Sequence, residues 1–302
     1  MTTTEIPSKY TRKEYIQPPH GFCPGCAVPM AMRWFLKVTG EKVIFVMPPG
    51  CASPSVLFPK PSLVYQGQRI KTLAVPFASA AIFSGGLKAA LTTRGDNETL
   101  VVAWAGDGAT FDIGLAAVSA AAERNEDIIY VCYDNEAYMN TGNQRSSATP
   151  RGARTTTNPL PAAKVENKKD IMSIMMAHGI PYAATATIAY PDDLMRKVQK
   201  AKSIRGFRFL HLLTPCVVGW LFPAELTVKV SRLAVETKVF PLFEVEDGLN
   251  LTINKEPKEI PVEEYVKIQG RYRHLTPEQI AQLQRSAEQR WNQLQYLANY
   301  GK

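Results

Sequence analysis

The sequence has few cysteines and histidines, and it lacks any long apolar run. There are five cysteines and four histidines among its 302 residues. No apolar stretch reaches the roughly 20 residues of a transmembrane helix, so we expect no membrane partner. The N-terminus, MTTTEIPSKYTRKEY, lacks the apolar core of a secretory signal, which predicts a cytoplasmic protein with reduced thiols. In that setting, cysteines are typically metal ligands, catalytic groups or core residues rather than disulfides.

The sequence also lacks the motifs of nucleic-acid-binding proteins. The formal net charge is +8, but lysine and arginine are spread along the chain, with no helix-turn-helix, RNP or zinc-finger spacing. A hydrophobic content of 45% and a charged content of 21% are typical of globular proteins with a sizeable core. The positive charge therefore favours an acidic small molecule or an acidic protein as partner, and not nucleic acid.

Short apolar runs alternate with helical patterns along most of the chain. Apolar runs without period-two alternation predict strands that are buried on both faces. The alternation predicts an α/β fold with a doubly wound, mainly parallel sheet. The predicted strands cover residues 42–47, 99–106, 127–135, 182–189 and 207–213, and the predicted helices cover residues 77–91, 112–125, 168–178 and 192–202.

Three segments depart from this alternation. Residues 1–22 are interpreted as an N-terminal arm, residues 23–248 as the α/β domain, and residues 249–302 as a C-terminal extension. Within the extension, residues 250–265 predict an irregular connection because they are polar and contain proline. Within the domain, residues 136–159 form a polar loop of a length that is usually functional or disordered.

The last helix carries clear start signals. Thr276 is placed as N-cap, Pro277 as the first helical residue, and Gln279 completes a capping box. One apolar stripe follows, made of Ile280, Leu283, Ala287, Trp291 and Leu294. Such a stripe predicts a helix that packs on the domain or contacts another subunit.

The clearest candidate site follows the second predicted strand, in AGDGATFDIG. Ligands bind a doubly wound sheet where strands end and helices begin. Gly106 and Gly108 allow close approach of a phosphate, and the start of the next helix favours negative charge. Asp107 between them can bind a divalent cation that bridges phosphates. Alone, this pattern is weak, because turns often contain it.

Asn135 strengthens the pattern, since it ends the next predicted strand. One helix and one strand are about the length that returns a chain to the same edge of a parallel sheet. Asp107 and Asn135 are therefore expected to face one Mg²⁺ together. A turn aspartate and a turn asparagine are each plausible alternatives singly, but they do not explain both residues in this order.

The cysteines fall into one pair and two single positions. Cys23 and Cys26 flank the turn in HGFCPGCAVP, Cys51 follows a Pro-Pro-Gly turn, and Cys216 follows a strand and a proline. Cys132 lies inside a predicted strand and is interpreted as a core residue. Four thiolates suit a [4Fe-4S] cluster or a structural zinc ion. Zinc ribbons usually supply two Cys-x-x-Cys pairs, so the spacing favours the cluster and leaves zinc as the alternative.

Taken together, these motifs resemble the β subunits of the 2-oxoacid:ferredoxin oxidoreductases of the pyruvate type. The resembling stretches are CPGC, PPGCAS, AGDGATFDIG, YDNEAYMNTGNQRSSATP, LLTPC, and FPLFEVEDG with PVEEYVKIQGRYRHL, in the family's order over roughly residues 20–275. Gly-Asp-Gly followed at this distance by Asn is the thiamine diphosphate fingerprint. The resemblance implies a diphosphate-binding α/β domain with thiamine diphosphate, Mg²⁺ and a [4Fe-4S] cluster.

The resemblance also implies roles for individual residues. The cluster ligands correspond to Cys23, Cys26, Cys51 and Cys216, and the Mg²⁺ ligands to Asp107, Asn135 and the carbonyl of Ala137. The cofactor-binding positions are Gly50, Gly106, Asp107, Gly108, Ala109, Asn135, Ala137, Asn140, Thr141 and Gly142. Asn140 resembles an asparagine that contacts the diphosphate and faces the reacting centre, which makes it a candidate catalytic residue.

Asn143 is the second candidate catalytic residue. Relatives often read TGGQ where this chain reads TGNQ. The side-chain amide of Asn143 could donate a hydrogen bond to the extra carboxylate of oxalate, which some relatives oxidise. The alternative is a loop asparagine in a left-handed turn that glycine otherwise fills. Both alternatives stay open at this point.

The implied enzyme oxidatively decarboxylates a small 2-oxoacid, either pyruvate with coenzyme A or oxalate to CO₂, and passes the electrons to ferredoxin. Only one sheet is predicted, so another subunit is expected to supply the glutamate that activates thiamine. There is no Cys-x-x-Cys-x-x-Cys run, so further clusters are expected on a partner chain. Two alternatives are a non-redox thiamine diphosphate decarboxylase or carboligase subunit and a zinc-stabilised binding module.

Overall fold

The computed structural model describes residues 10–57 and 62–300. The strands are β1 (Val43–Met47), β2 (Val64–Tyr65), β3 (Gln68–Arg69), β4 (Lys71–Ala74), β5 (Leu100–Gly106), β6 (Ile129–Asp134), β7 (Tyr182–Thr187), β8 (Arg208–Leu213), β9 (Phe243–Glu246) and β10 (Asn250–Ile253). The α-helices are α1 (Ala27–Thr39), α2 (Ala52–Leu57), α3 (Ala80–Thr93), α4 (Leu115–Glu123), α5 (Ile171–Ala177), α6 (Pro191–Ser203), α7 (Val217–Trp220), α8 (Thr227–Glu236), α9 (Val262–Val266) and α10 (Pro277–Asn299). A π-helix covers Gly108–Asp112, and short 3₁₀ helices cover Ala224–Leu226 and Gly270–Tyr272.

One large sheet organises these elements. Its strand order is β10-β9-β7-β8-β6-β5-β1-β4. Strands β4, β1, β5, β6, β8 and β7 run parallel, whereas β9 pairs antiparallel with both β7 and β10. The prediction of a doubly wound, mainly parallel α/β sheet is therefore confirmed. The chain passes from β1 to β4 on one side and then to β5 on the other, and this reversal opens a crevice at the carboxyl ends of β1 and β5.

The central strands are buried on both faces because alternate side chains enter two separate cores. On one face, the Trp104 ring meets those of Phe35 and Phe45 edge-on, with centroids 5.5 and 5.8 Å apart, beneath α1 and α6. On the other face, Tyr130 stacks on Phe209 at 5.8 Å, in the core that α3, α4 and α5 cover. Burial on both faces explains why these strands are continuous apolar runs in the sequence.

The edge of the sheet differs from the sequence prediction. Residues 250–265 are not simply an irregular connection, because β10 pairs with β9 there and α9 follows. In β10 only Leu251 is buried, so the short strand has no apolar run to reveal it. The division of the chain into an arm, a domain and an extension stays a prediction, and residues 1–9 of the arm lie outside the described residues.

The final helix begins as predicted. The Thr276 side chain accepts a hydrogen bond from the Gln279 N–H, and the Gln279 side chain accepts one from the Thr276 N–H, which completes the capping box. Within its stripe, Ala287, Trp291 and Leu294 are buried against the rest of the chain. Across residues 10–57 and 62–300, none of the helices combines the length and apolar character that crossing a bilayer requires.

Candidate cofactor site

A cavity of about 280 Å³ lies at the carboxyl ends of β1, β5 and β6, where the strand order reverses. Nine of the ten predicted cofactor-binding residues line it: Gly50, Gly106, Asp107, Gly108, Ala109, Asn135, Ala137, Asn140 and Thr141. Gly142 and Asn143 are not among the lining residues. The parallel sheet thus brings together three loops that are far apart in the chain.

Aromatic side chains that the sequence reasoning missed complete the wall. Phe77, Tyr133 and Tyr138 line the cavity, and the rings of Phe77 and Tyr138 lie 6.0 Å apart. Pro49, Cys51 and Met139 are the other lining residues. In the sequence, Tyr133 is indistinguishable from its buried neighbours in β6, and no pattern marked Phe77 or Tyr138. An apolar wall of this kind beside a few polar groups is typical of a cofactor pocket.

Two glycines allow these aromatic rings to approach the backbone closely. A Cβ atom at Gly50 would lie 2.5 Å from Oη of Tyr133, and one at Gly108 would lie 2.4 Å from Cε1 of Tyr138. Both distances are shorter than any tolerated contact, so a side chain at either position displaces a ring from the wall. Glycine is therefore required here by packing.

We expect Gly108→Ala to weaken thiamine diphosphate binding with little loss of fold stability. The added methyl group pushes Tyr138 from the wall and from Asp112, whose Oδ2 lies 3.1 Å from the Tyr138 hydroxyl. In the empty cavity the ring can move aside at little cost, but the bound cofactor requires it back in the wall. An overpacking cost of about 1–3 kcal/mol then lowers the affinity by roughly 5- to 150-fold. Isothermal titration calorimetry measures the change. Gly86→Ala is the matched control, because its Cβ meets nothing within 4 Å, and equal affinity losses in the two variants would contradict the packing explanation.

The three predicted Mg²⁺ ligands converge at the floor of the cavity. Oδ1 of Asn135 lies 3.0 Å from Oδ1 of Asp107 and 2.9 Å from the carbonyl oxygen of Ala137. If the amide is turned by 180°, its nitrogen donates hydrogen bonds to both of these oxygens. In the orientation shown, the Asn135 oxygen lies about 3 Å from each of the other two oxygens. Adjacent ligands of an octahedral Mg²⁺ have this separation at Mg–O distances of about 2.0–2.1 Å. The donor set therefore fits Mg²⁺.

The electrostatics of Asp107 also fit a cation. The side chain is buried, and the Ser146 hydroxyl donates a hydrogen bond to its Oδ2 at 2.5 Å. Burial first, and then the charge of Asp134, raise the pKa of Asp107 well above its usual range, although Lys168 partly opposes this. A divalent cation at the convergent oxygens would stabilise the ionised carboxylate.

Four of the five cysteines lie around the same end of the sheet. Cys26 and Cys216 are the N-caps of α1 and α7, and Cys51 lines the cavity. Burial raises the pKa of Cys26 to about 12, and Cys216, Cys51 and Cys23 contribute to the rise. Cys132 lies fully buried in the core beneath α3, α4 and α5, as predicted.

Among residues 10–57 and 62–300, no three His, Cys, Asp or Glu side chains are grouped as ligands of one metal ion. The thiolates of a [4Fe-4S] cluster each bind a different iron, so they are held farther apart than those around one zinc ion. The Gly219 N–H also donates to Sγ of Cys216 at 3.3 Å, a contact of the type that tunes cluster sulfurs. The cluster and a structural zinc ion both stay predictions for these four cysteines.

Asn140 and Asn143 differ in position. Asn140 lines the cavity, as predicted for a residue that contacts the diphosphate. Asn143 has φ of +63°, the left-handed conformation that glycine adopts most easily, and its carbonyl accepts a hydrogen bond from the Thr156 N–H at 3.0 Å. This backbone matches the alternative in which Asn143 replaces a turn glycine.

Comparison with known proteins gives consistent matches. Residues 66–212 match the family model described as "Thiamine pyrophosphate enzyme, C-terminal TPP binding domain". The chain is 45% identical to pyruvate synthase subunit PorB of Methanocaldococcus jannaschii, with 94% of this chain and 98% of that protein aligned. It is 43% identical to ketoisovalerate oxidoreductase subunit VorB of Pyrococcus abyssi, with 92% of each chain aligned.

A solved structure shares the fold. It is a 2-oxoglutarate:ferredoxin oxidoreductase from Magnetococcus marinus, with 2-oxoglutarate, coenzyme A and succinyl-CoA bound. The match has a TM-score of 0.54 and 24% identity, and it covers 69% of this chain and 71% of the other. At this identity, the likeness supports the sheet topology described above and nothing more.

Proposed function

Because this chain belongs to the β-subunit family of the 2-oxoacid:ferredoxin oxidoreductases, we propose that it holds thiamine diphosphate, Mg²⁺ and a [4Fe-4S] cluster in such an enzyme. The proposed substrate is a small 2-oxoacid, with pyruvate as the first candidate. The observation that carries this proposal is the convergence of the Asp107, Asn135 and Ala137 oxygens in a cavity that Cys51 also lines.

The cavity residues divide the binding of the cofactor between them. Asp107, Asn135 and Ala137 would hold Mg²⁺, while Asn140 and Thr141 line the cavity close by and would contact the diphosphate. Bound thiamine diphosphate would supply a carbanion nucleophile and an electron sink for the decarboxylation. The aromatic wall keeps water from the cofactor, which strengthens the polar contacts inside.

A cluster bound by the four cysteines would accept the electrons that decarboxylation leaves behind. Cys23, Cys26, Cys51 and Cys216 would ligate a [4Fe-4S] cluster, which accepts electrons one at a time. Cys51 lies in the wall of the cavity, so the cluster and the cofactor would share a boundary. Ferredoxin is the expected final acceptor, reached through clusters on another subunit.

A partner subunit completes the site. Thiamine needs a carboxylate against its aminopyrimidine ring, and no glutamate is present among the described residues that line the cavity. We infer that another subunit of the heteromer supplies it. The isolated chain would then bind the cofactors without turning over substrate.

Substrate turnover by the assembled, anaerobic complex tests the proposal. We expect the highest kcat/KM for pyruvate with coenzyme A, coupled to ferredoxin reduction, with ketoisovalerate and oxalate as the comparison acids. The alignments to pyruvate synthase subunits at 45–46% identity support this order. Product formation without ferredoxin reduction would favour the non-redox decarboxylase or carboligase instead. Dependence on pyruvate but not on coenzyme A would remove acyl transfer to coenzyme A from the proposal.

Asn143→Gly tests whether Asn143 selects the substrate. Because Asn143 has a left-handed backbone and is not among the cavity-lining residues, we expect the ratio of kcat/KM for oxalate to that for pyruvate to change less than about twofold. Steady-state kinetics of the complex measure this ratio. A loss of oxalate turnover alone would restore the hydrogen-bond donor interpretation.

A further inference from the structure

The residues that follow β6 alternate between the cofactor cavity and the interior of the protein. Asn135 and Ala137 line the cofactor cavity, whereas Asp134 and Glu136 lie in the interior with 0% and 3% of their surface exposed. The two predicted Mg²⁺ ligands of this segment therefore alternate with two buried carboxylates. The residues that contact Asp134 and Glu136 therefore influence the positions of Asn135 and Ala137.

Lys168 joins the two carboxylates. Its Nζ lies 2.5 Å from Oδ2 of Asp134 and 2.8 Å from Oε1 of Glu136. His211 adds a second contact, with Nε2 2.7 Å from Oδ2 of Asp134. Lys168 and His211 therefore hold the Asp134 carboxylate in place.

The backbone N–H, the backbone carbonyl and the carboxylate of Glu136 all have partners in the protein. Its N–H donates to Oδ1 of Asp134 at 2.9 Å, and its carbonyl accepts from the Thr149 hydroxyl at 2.6 Å. Its Oε2 forms an ion pair with Nη2 of Arg271 at 2.7 Å, although without hydrogen-bond geometry. Glu136 has φ of +65°, a left-handed conformation that is unfavourable for a non-glycine residue. Such strain persists only where the surroundings fix it, and here it creates the turn that brings the Asn135 and Ala137 oxygens together.

Arg271 reaches the same segment by a second route. Its guanidinium lies 3.8 Å from the centroid of the Trp220 ring, and the Trp220 indole N–H donates to the Asn135 carbonyl at 2.8 Å. The Arg271 side chain is buried, with 3% exposed. One arginine of the C-terminal extension therefore supports Asn135 through Trp220 and Glu136 at once.

We propose that Glu136 and Arg271 are positioning residues that hold the Asn135–Ala137 turn in its metal-binding geometry. This rests on the proposed function, because it assumes that Mg²⁺ binds at the turn. Neither side chain is among those that line the cofactor cavity, so each acts on the turn through a neighbouring residue. Loss of partners that orient metal ligands typically weakens metal binding by about 10- to 100-fold.

The test is a Mg²⁺ titration of the assembled complex after removal of metal and cofactor, at a fixed, saturating thiamine diphosphate concentration. Calorimetry and the amount of cofactor retained after gel filtration both report binding, independently of turnover. We expect Glu136→Gln and Arg271→Met each to raise the half-saturating Mg²⁺ concentration by about 10- to 100-fold. A glutamine at position 136 must turn its NH₂ group toward either Lys168 or Arg271, so it cannot keep both contacts. Arg271→Lys should restore part of the affinity.

Arg273→Met is the matched control, because Arg273 lies in the same segment with an exposed side chain. A purely structural role for Arg271 would lower the melting temperature of the complex and leave the Mg²⁺ requirement unchanged. Wild-type Mg²⁺ dependence in Glu136→Gln would overturn the inference, even if Arg271→Met fails to assemble. A wild-type complex that retains no thiamine diphosphate at any Mg²⁺ concentration would instead overturn the proposed function, and this inference with it.

Discussion

Cys51→Ala is expected to remove the iron–sulfur cluster while leaving thiamine diphosphate binding in place. Cys51 contributes one of the four thiols at the carboxyl end of the sheet, and three thiolates leave one iron of a cube without a protein ligand. In the chain purified anaerobically, iron and sulfide should fall from about four per chain to near zero. In the complex, ferredoxin reduction should fall by more than the roughly 10- to 100-fold that loss of an outer partner costs.

Cys132→Ala is the matched control for this substitution. Cys132 is buried and Cys51 is partly buried, and the two pack against cores on opposite faces of the sheet. The variant should keep the brown colour and the absorption band that bleaches on reduction, with only a modest loss of stability. Colourless wild-type protein that contains stoichiometric zinc would contradict the cluster and restore the zinc alternative.

The central strands could be predicted from the sequence because they are buried on both faces. Strands β1, β5, β6 and β8 are buried along almost all of their length, so each is a mainly apolar run in the sequence. The edges could not be predicted in the same way. Three of the four residues of β4 are exposed, and β10 buries only Leu251, so neither carries the apolar signal of a strand. Their pairing depends on the sheet that they join.

The candidate site could likewise be predicted only in part from the sequence. Asp107 and Asn135 could be placed together because parallel strands end at one edge of a sheet, and that topology follows from the alternation of elements. The surrounding contacts could not be derived, because they join residues whose local sequence gives no signal. Lys168 belongs to a polar run, yet its Nζ pairs with the buried carboxylates of Asp134 and Glu136. Arg271 is one of several basic residues in its segment, and only the fold distinguishes it from Arg273.

Asp107→Asn should separate the stability of the empty protein from its ability to bind cofactor. The substitution keeps the shape of the side chain and an acceptor for the Ser146 hydroxyl, but it removes a carboxyl group whose ionised form is disfavoured by burial and by Asp134. Unpaired buried charge is costly, so the melting temperature of the cofactor-free protein should be unchanged or higher. An amide is also a much weaker ligand for Mg²⁺ than a carboxylate, so the variant should lose cofactor binding.

Thermal unfolding with and without Mg²⁺ and thiamine diphosphate measures both effects. A ligand at 100 times its Kd stabilises the native state by about 2.7 kcal/mol, so wild-type protein should gain several degrees while Asp107→Asn gains none. Glu123→Gln, an exposed carboxylate at the end of α4, should behave as wild type. Because the two effects have opposite signs, general damage to the fold cannot imitate the result. A full ligand-induced shift in Asp107→Asn would place the metal site elsewhere in the molecule.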